Sequence, residues 1–176
     1  MTAYLLIVFA VLSRVVPHPW MNFTAVGAGL LFFGARRPLR EMALPVLALI
    51  GTDYYLTTVF YHYAFHTSAY LITWAWYAAV VILGRILLHR QASVTRVIAA
   101  PLIASTSFFI ISNYAVWIGS LMYPHTMAGL TACYAVALPF YRNDLLSTTL
   151  ITGLAFGLPA AARRLVDPKQ HENVAA

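Results

Sequence analysis

The chain has 176 residues, of which 61% are hydrophobic and only 9% are charged. A soluble domain usually carries about 25% charged residues, so this composition excludes an ordinary soluble protein and indicates one that is solvated largely by lipid. The net charge of +6 does not indicate a nucleic-acid partner, because the basic residues are spread over separate loops and anionic lipid headgroups are the simpler partner. The lone cysteine, Cys133, excludes internal disulfides and any cysteine-cluster metal site.

The basic residues fall into short clusters separated by apolar runs. Nine of the eleven Lys and Arg residues belong to three clusters, which are Arg36, Arg37 and Arg40; Arg85, Arg90 and Arg96; and Arg163, Arg164 and Lys169. Long apolar runs broken by short basic loops are typical of a multi-span membrane protein, and Lys and Arg stay on the cytoplasmic side during insertion. The pattern therefore predicts an all-α, polytopic membrane helix bundle in the inner (cytoplasmic) membrane, with both termini cytoplasmic.

Five apolar segments are predicted to cross the membrane in turn, since each span needs roughly 20 residues. They are residues 2–16, 20–35, 42–61, 69–88 and 97–119. The Pro17-His18-Pro19 stretch separates the first two, because proline removes a backbone donor and restricts the residue before it.

The last two apolar segments, 126–141 and 145–165, decide whether the chain crosses the membrane an even or an odd number of times, and so on which side its basic tail lies. If both crossed, the basic tail would lie outside, against the charge rule. If 126–139 instead enters the membrane and returns, as its short length and Pro139 favour, the chain has six spans plus one short re-entrant or half-length helix. Such a backbone must pack against protein or line a wet cavity, so this hypothesis also predicts a cavity on the outer side.

A seventh short span is the alternative for that segment. In either case we expect a single transmembrane domain, residues 1–165, followed by a short polar cytoplasmic tail, residues 166–176.

On the six-span topology the outer side collects amides and aromatic residues. Trp and Tyr favour the membrane interface, which accounts for most of the tyrosines, whereas amides near membrane depth need partners. Aromatic walls with a few placed polar groups are what a small organic ligand requires. The candidate ligand-binding residues are Asn22, Asp53, Asn113, Trp117, Tyr123, Arg142, Asn143 and Asp144.

Asp53 is the most distinctive of these, because an acid near the middle of a span is costly and by default a functional hypothesis. Bracing of a neighbouring helix through hydrogen bonds is the open alternative. His62 and His66 share a face if their helix continues, but they lie at a predicted helix end and are interpreted as interfacial histidines. No phosphate loop, HExxH or GxSxG motif occurs, so we predict no catalytic residue, no metal site and no enzyme activity, and no cofactor is assigned.

Five blocks spread along the chain carry a family resemblance. They are residues 14–24 (RVVPHPWMNFT), 27–35 (GAGLLFFGA), 108–117 (FFIISNYAVW), 123–130 (YPHTMAGL) and 138–144 (LPFYRND). Together these blocks resemble an uncharacterised bacterial integral-membrane family whose suggested role is transport. The resemblance implies a bacterial membrane protein.

That family is in turn similar to the substrate-binding S-components of energy-coupling factor (ECF) vitamin transporters. The likeness rests on a Gly-rich second span that ends in a basic turn, and on the block from Pro139 to Asp144, which resembles the Pro-Phe-x-x-Asp block of biotin-type S-components. The resemblance implies six spans, both termini inside and a vitamin site open to the outside. S-components dock on their energising module through an Ala-xxx-Ala stripe in the first span; here Ala10 is followed by Arg14 at that spacing.

We therefore expect an integral membrane protein that binds a small, vitamin-like organic solute from the outer side, as a transporter substrate-binding component or a solitary facilitator. The alternative is an accessory or structural subunit of a larger membrane complex that is associated with pigment, quinone or haem, because the 14% aromatic content suits that role too. The expected partners are the lipid bilayer, a small-molecule ligand and, in the alternative, membrane partner subunits, with no nucleic acid.

Overall fold

The computed structural model describes the backbone of residues 1–166 and the side chains of residues 1–162. This part of the chain is built from six α-helices and contains no strand. The helices are α1 (Thr2–Val15), α2 (Val26–Arg36), α3 (Ala43–Tyr55), α4 (Leu71–Leu88), α5 (Val94–Gly119) and α6 (Met127–Val166). A π-helical turn at Leu56–Phe60 extends α3, and 3-10 turns at Leu39–Glu41 and Thr67–Ala69 precede α3 and α4. The predicted all-α bundle is confirmed.

Four helical segments of the described chain are long and apolar enough to cross a membrane. They are Leu39–Phe60, Leu71–Leu88, Val94–Gly119 and Met127–Ala162. The helices α1 and α2 are apolar but have only 14 and 11 residues, so they are about 21 and 16 Å long against a hydrocarbon core of about 30 Å. The chain is thus a helical membrane protein in which four helices, and not the expected six, have the length of a span.

The expected re-entrant or half-length helix at 126–139 is wrong, and so is a separate seventh span. The two segments 126–141 and 145–165 lie on α6, a single helix of 40 residues that is about 60 Å long. Pro139 and Pro159 lie inside this helix. Each removes one backbone donor, but neighbouring groups in a membrane bundle can compensate for the loss, so Pro139 does not end the helix. The predicted polar tail lies outside the described residues except for Val166, where α6 ends.

Successive helices run antiparallel and bring the first two basic clusters together at one end of the bundle. Arg85 of α4 donates to the carbonyl of Arg37 over 3.4 Å, and the ring of His89 lies 2.8 Å from the carbonyl of Ala35. The helix α6 points to the same end, because Phe156 packs on Phe32 of α2 with ring centroids 5.1 Å apart. We call this end the basic end; the side chains of the third cluster lie outside the described residues.

The helix α2 forms the centre of the packed core. Every residue from Val26 to Ala35 is buried. The crossing of α2 and α4 is a backbone contact, since a Cβ atom at Gly34 would overlap the carbonyl of Val81, and one at Gly84 would overlap the backbone of Leu31. Small residues permit such close approach, which is a main source of helix association in lipid.

The helices α1 and α2 form a hairpin that ends part of the way along the longer helices. Its loop, residues 16–25, meets α6 at Asn143, whose Nδ2 donates to the carbonyl of Met21 over 2.9 Å. From Asn143 to Met127, α6 continues for about 24 Å away from the basic end. Six helices therefore pack together in the basic half, whereas the longer four continue past the loop and leave space above it.

Candidate functional site

Three neighbouring cavities lie above the α1–α2 loop, and we refer to them together as the central hollow. Their volumes are about 450, 220 and 140 Å³. Asn22 lines all three cavities. Arg14, Asp53 and Tyr70 line the two larger ones, and Asp144 lines the two smaller ones. These shared residues make the cavities parts of one polar and aromatic space.

An ion pair forms one wall of the central hollow. The Nη1 atom of Arg14 lies 2.6 Å from Oδ1 of Asp53 and donates to the hydroxyl of Tyr77 over 2.9 Å. The indole nitrogen of Trp74 donates to Oδ2 of Asp53 over 3.0 Å. The side chain of Asp53 is 1% exposed, whereas that of Arg14 is 23% exposed because it borders the hollow. The pair ties α1, α3 and α4 together and also presents a guanidinium group to the cavity.

An aromatic stack lies behind this wall, and its middle ring, Tyr70, lines the two larger cavities. The ring of Phe65 stacks on Tyr70 with centroids 5.1 Å apart, and Tyr70 stacks on Trp74 with centroids 6.0 Å apart. The hydroxyl of Tyr70 lies 2.6 Å from that of Thr57, which belongs to the π-helical turn. Single π-helical turns in α-helices occur frequently at functional sites, and this one lines the cavity of about 450 Å³, the largest of the three in the hollow.

Asn22 reaches the hollow from a left-handed backbone conformation, with φ at 61°. Asn adopts this region more readily than most residues with a side chain. Within the described chain His62 is the one other non-glycine residue with positive φ, at 57°, and it does not line the hollow. The loop backbone therefore holds the Asn22 amide at the meeting point of the three cavities.

The structure places half of the predicted site residues on the central hollow. These are Asn22, Asp53, Asn113 and Asp144. Asn113 borders the smallest cavity, but its Nδ2 donates to the carbonyl of Phe109 on its own helix over 2.7 Å. Its amide is therefore partly engaged already.

The other half of the predicted site residues lie outside the hollow. Asn143 supports the α1–α2 loop through Met21. Trp117 donates to the carbonyl of Pro124 over 3.0 Å and so closes the turn between α5 and α6, where Tyr123 also lies. Arg142 is exposed on α6. None of these four contacts the space that the hollow encloses.

Sequence reasoning did not select Arg14 and Tyr70, which line the hollow, or Trp74, which supports Asp53. A signal for Arg14 existed, since a charge inside an apolar helix is costly unless it finds a partner. The aromatic residues of α4 had no distinct signal, because Trp and Tyr are also common at membrane interfaces. Among the residues searched, no three His, Cys, Asp or Glu side chains lie close enough together to hold a metal ion.

The arrangement offers a guanidinium group, two carboxylates, an amide and several aromatic faces around an accessible space. These groups can orient a small organic molecule by hydrogen bonds and hold its body against the rings.

No curated protein and no solved structure matches the chain. Residues 1–170 match a protein-family model, DUF6580, which is described as a family of unknown function. Because that match covers nearly the whole chain, this protein belongs to the DUF6580 family.

Proposed function

We propose that this protein binds a small organic solute in the central hollow, in a bacterial inner membrane, as a transporter substrate-binding component or a solitary facilitator. The observation that carries the proposal is the hollow itself, a space with aromatic and charged walls above a hairpin too short to span. Its largest part, about 450 Å³, falls within the range of small-molecule sites, about 300–1,000 Å³.

The positions of the basic clusters support an orientation for this binding. Lys and Arg in short loops favour the cytoplasmic side, and the first two clusters meet at the basic end. The basic end would therefore be cytoplasmic, with both termini there. The hollow lies on the other side of the packed half, so the solute would enter from outside the cell.

The polar groups of the hollow support binding of a solute rather than of lipid. An acyl chain gains nothing from the Arg14–Asp53 pair or the Asn22 amide, and burying these groups without partners would be unfavourable. A solute with polar groups of its own can replace the water that otherwise solvates them.

Two left-handed residues allow a test with a matched control. Glycine adopts positive φ at no steric cost, so Asn22→Gly and His62→Gly remove a side chain while keeping each backbone conformation. The protein is purified in lipid nanodiscs, and small molecules that co-purify are identified and quantified by mass spectrometry. We expect a defined solute with the wild-type protein and with His62→Gly, and at least about tenfold less with Asn22→Gly, the equivalent of about 1.4 kcal/mol.

Equal retention of the solute by Asn22→Gly would remove the central hollow as its site. A protein partner in fixed ratio with no co-purified solute would instead identify an accessory subunit of a larger membrane complex.

A further inference from the structure

Asp144 is a buried acid that the Arg14–Asp53 pair does not neutralise. It is 9% exposed and lines the cavities of about 220 and 140 Å³. Among the described residues its carboxylate forms no ion pair. Arg142 lies two residues earlier on α6, which places it about 200° around the helix axis, and it is exposed.

The groups next to the Asp144 carboxylate are neutral. The hydroxyls of Ser105 on α5 and Thr148 on α6 lie beside it, and both are buried with no other hydrogen-bond partner. The hydroxyl of Ser147 donates to the backbone carbonyl of Asp144 over 3.0 Å and not to its side chain. Neutral hydroxyls can solvate a carboxylate, but they leave its charge in place.

The central hollow therefore has an excess of negative charge, although the whole chain is strongly basic. The acidic and basic residues of its lining are Arg14, His18, Asp53 and Asp144, so with His18 neutral and both aspartates ionised the balance is one negative charge. Because Asp53 lies against the guanidinium at 2.6 Å, the unmatched charge is that of Asp144. A site with this balance favours a ligand that carries one positive charge.

The walls near Asp144 are aromatic, which favours organic cations over metal ions. Trp76 and Tyr77 line the cavity of about 220 Å³, Phe109 and Phe140 line that of about 140 Å³, and Phe108 lines both. Aromatic faces attract organic cations and Arg or Lys groups, whereas Na⁺ prefers a shell of oxygen ligands, as hard cations do.

We propose that Asp144 is the counter-ion of the solute, and that the solute is a small organic monocation, an amine with a planar or aromatic body. The ammonium group lies between the Asp144 carboxylate and the ring of Phe108, and the body extends toward Asn22. This inference rests on the proposed function and adds the charge class of the solute to it.

Three probes of similar size that share a phenyl group test the inference: 2-phenylethylammonium, the neutral 2-phenylethanol and the anionic phenylacetate. Binding to the nanodisc protein is measured by calorimetry in potassium buffer. We expect the ammonium probe to bind at least about tenfold more tightly than the other two. Asp144→Asn, which has the same shape without the charge, should weaken ammonium binding by about 30-fold or more.

Two further variants test whether the effect depends on the negative charge at position 144 and not on the net charge of the protein. Asp144→Glu keeps the charge and should preserve the preference for the ammonium probe. Arg142→Gln also changes the net charge by one, but on the exposed face, and should leave ammonium affinity unchanged.

Several results would overturn the inference. They are equal or tighter binding of the neutral or anionic probe, unchanged ammonium affinity in Asp144→Asn, stabilisation by sodium alone, or no binding of the ammonium probe at all. A co-purified solute that is neutral or anionic would also overturn it while leaving solute binding in the central hollow intact. If no solute co-purifies with the wild-type protein, that result counts against the proposed function itself.

Discussion

The basic half of the bundle and the half above the α1–α2 loop contain the same four long helices but pack differently. In the basic half the short hairpin fills the space between them, and α2 is buried from Val26 to Ala35. Above the loop no part of the described chain replaces the hairpin, and the long helices enclose the central hollow. The comparison shows that the length of two helices, and not the composition of the other four, decides where this protein is packed and where it is open.

The two halves also use polar groups differently. At the basic end Glu41 accepts hydrogen bonds from Arg37 over 2.7 and 3.0 Å and from Tyr4 over 2.5 Å. The bonds to Glu41 raise the pKa of the Arg37 guanidinium, so this group keeps its charge at any physiological pH. Among the described residues the one acid at this end, Glu41, therefore has a cationic partner, whereas Asp144 in the central hollow has none.

The largest expected effect comes from separating the helices of the basic half. Gly34→Ala places a Cβ atom against the backbone carbonyl of Val81, and two backbones must move apart. We expect a loss of about 2–3 kcal/mol in the free energy of unfolding, as for overpacked cores, measured by unfolding in mixed micelles. Gly153→Ala is the control, because a Cβ atom there meets nothing within 4 Å; it should be neutral or stabilise by up to about 1 kcal/mol. Equal effects of the two variants would contradict the backbone contact.

A second prediction concerns the ion pair at the boundary between the halves. Asp53→Asn leaves the Arg14 guanidinium without its counter-charge. Removing one partner of a fully buried pair costs about 3–5 kcal/mol, but the Arg14 side chain is 23% exposed and water in the hollow can solvate it, so we expect a smaller loss of about 1–2 kcal/mol. The double variant Arg14→Met with Asp53→Leu replaces both charges with apolar groups and should regain most of the lost stability in the same unfolding assay.

The double variant also separates bracing from binding. If the pair contributes to the solute site, the double variant should still lose solute although its stability is regained, as measured by co-purification. Full stability together with wild-type solute content would show that the pair only braces α1 against α3.

The smallest expected effect is that of Asn113→Ala. Asn113 lines the cavity of about 140 Å³, but its amide already donates to Phe109, so it has one remaining donor and its oxygen for a solute. We expect solute affinity to fall about three- to tenfold, in the range of one neutral hydrogen bond, while the purified protein stays monodisperse. Wild-type affinity would remove Asn113 from the site.

The sequence predicted the parts of this structure that depend on local pattern. The apolar runs placed the helices to within a few residues, with two exceptions: α2 begins at Val26 and not near residue 20, and the last two runs form the single helix α6. The spacing of the basic clusters predicted that they share one end, and the first two do so. Local pattern is sufficient here because a helix in lipid must be apolar along its length and must satisfy its own backbone hydrogen bonds.

What the sequence could not predict depends on long-range contacts or on ambiguous residues. Pro139 and the polar residues after it resemble a helix end, yet α6 continues through them. The pairing of Arg14 with Asp53 joins helices that are not adjacent in the chain. The expected re-entrant element is also absent from 126–139. The segment that enters the bundle only part of the way is the α1–α2 hairpin, whose predicted runs 2–16 and 20–35 were already shorter than the roughly 20 residues that a span needs.

The most direct test asks whether the tip of that hairpin is open to water from the side opposite the basic end. Met21 is 64% exposed and lines the cavity of about 450 Å³ in the central hollow, and Arg40 lies at the basic end. In a Cys133→Ser background, Met21→Cys and Arg40→Cys are treated with a membrane-impermeant maleimide in spheroplasts. The account predicts that Met21→Cys is labelled in intact spheroplasts and Arg40→Cys only after permeabilisation. Protection of Met21→Cys until permeabilisation, or under all conditions, would contradict it.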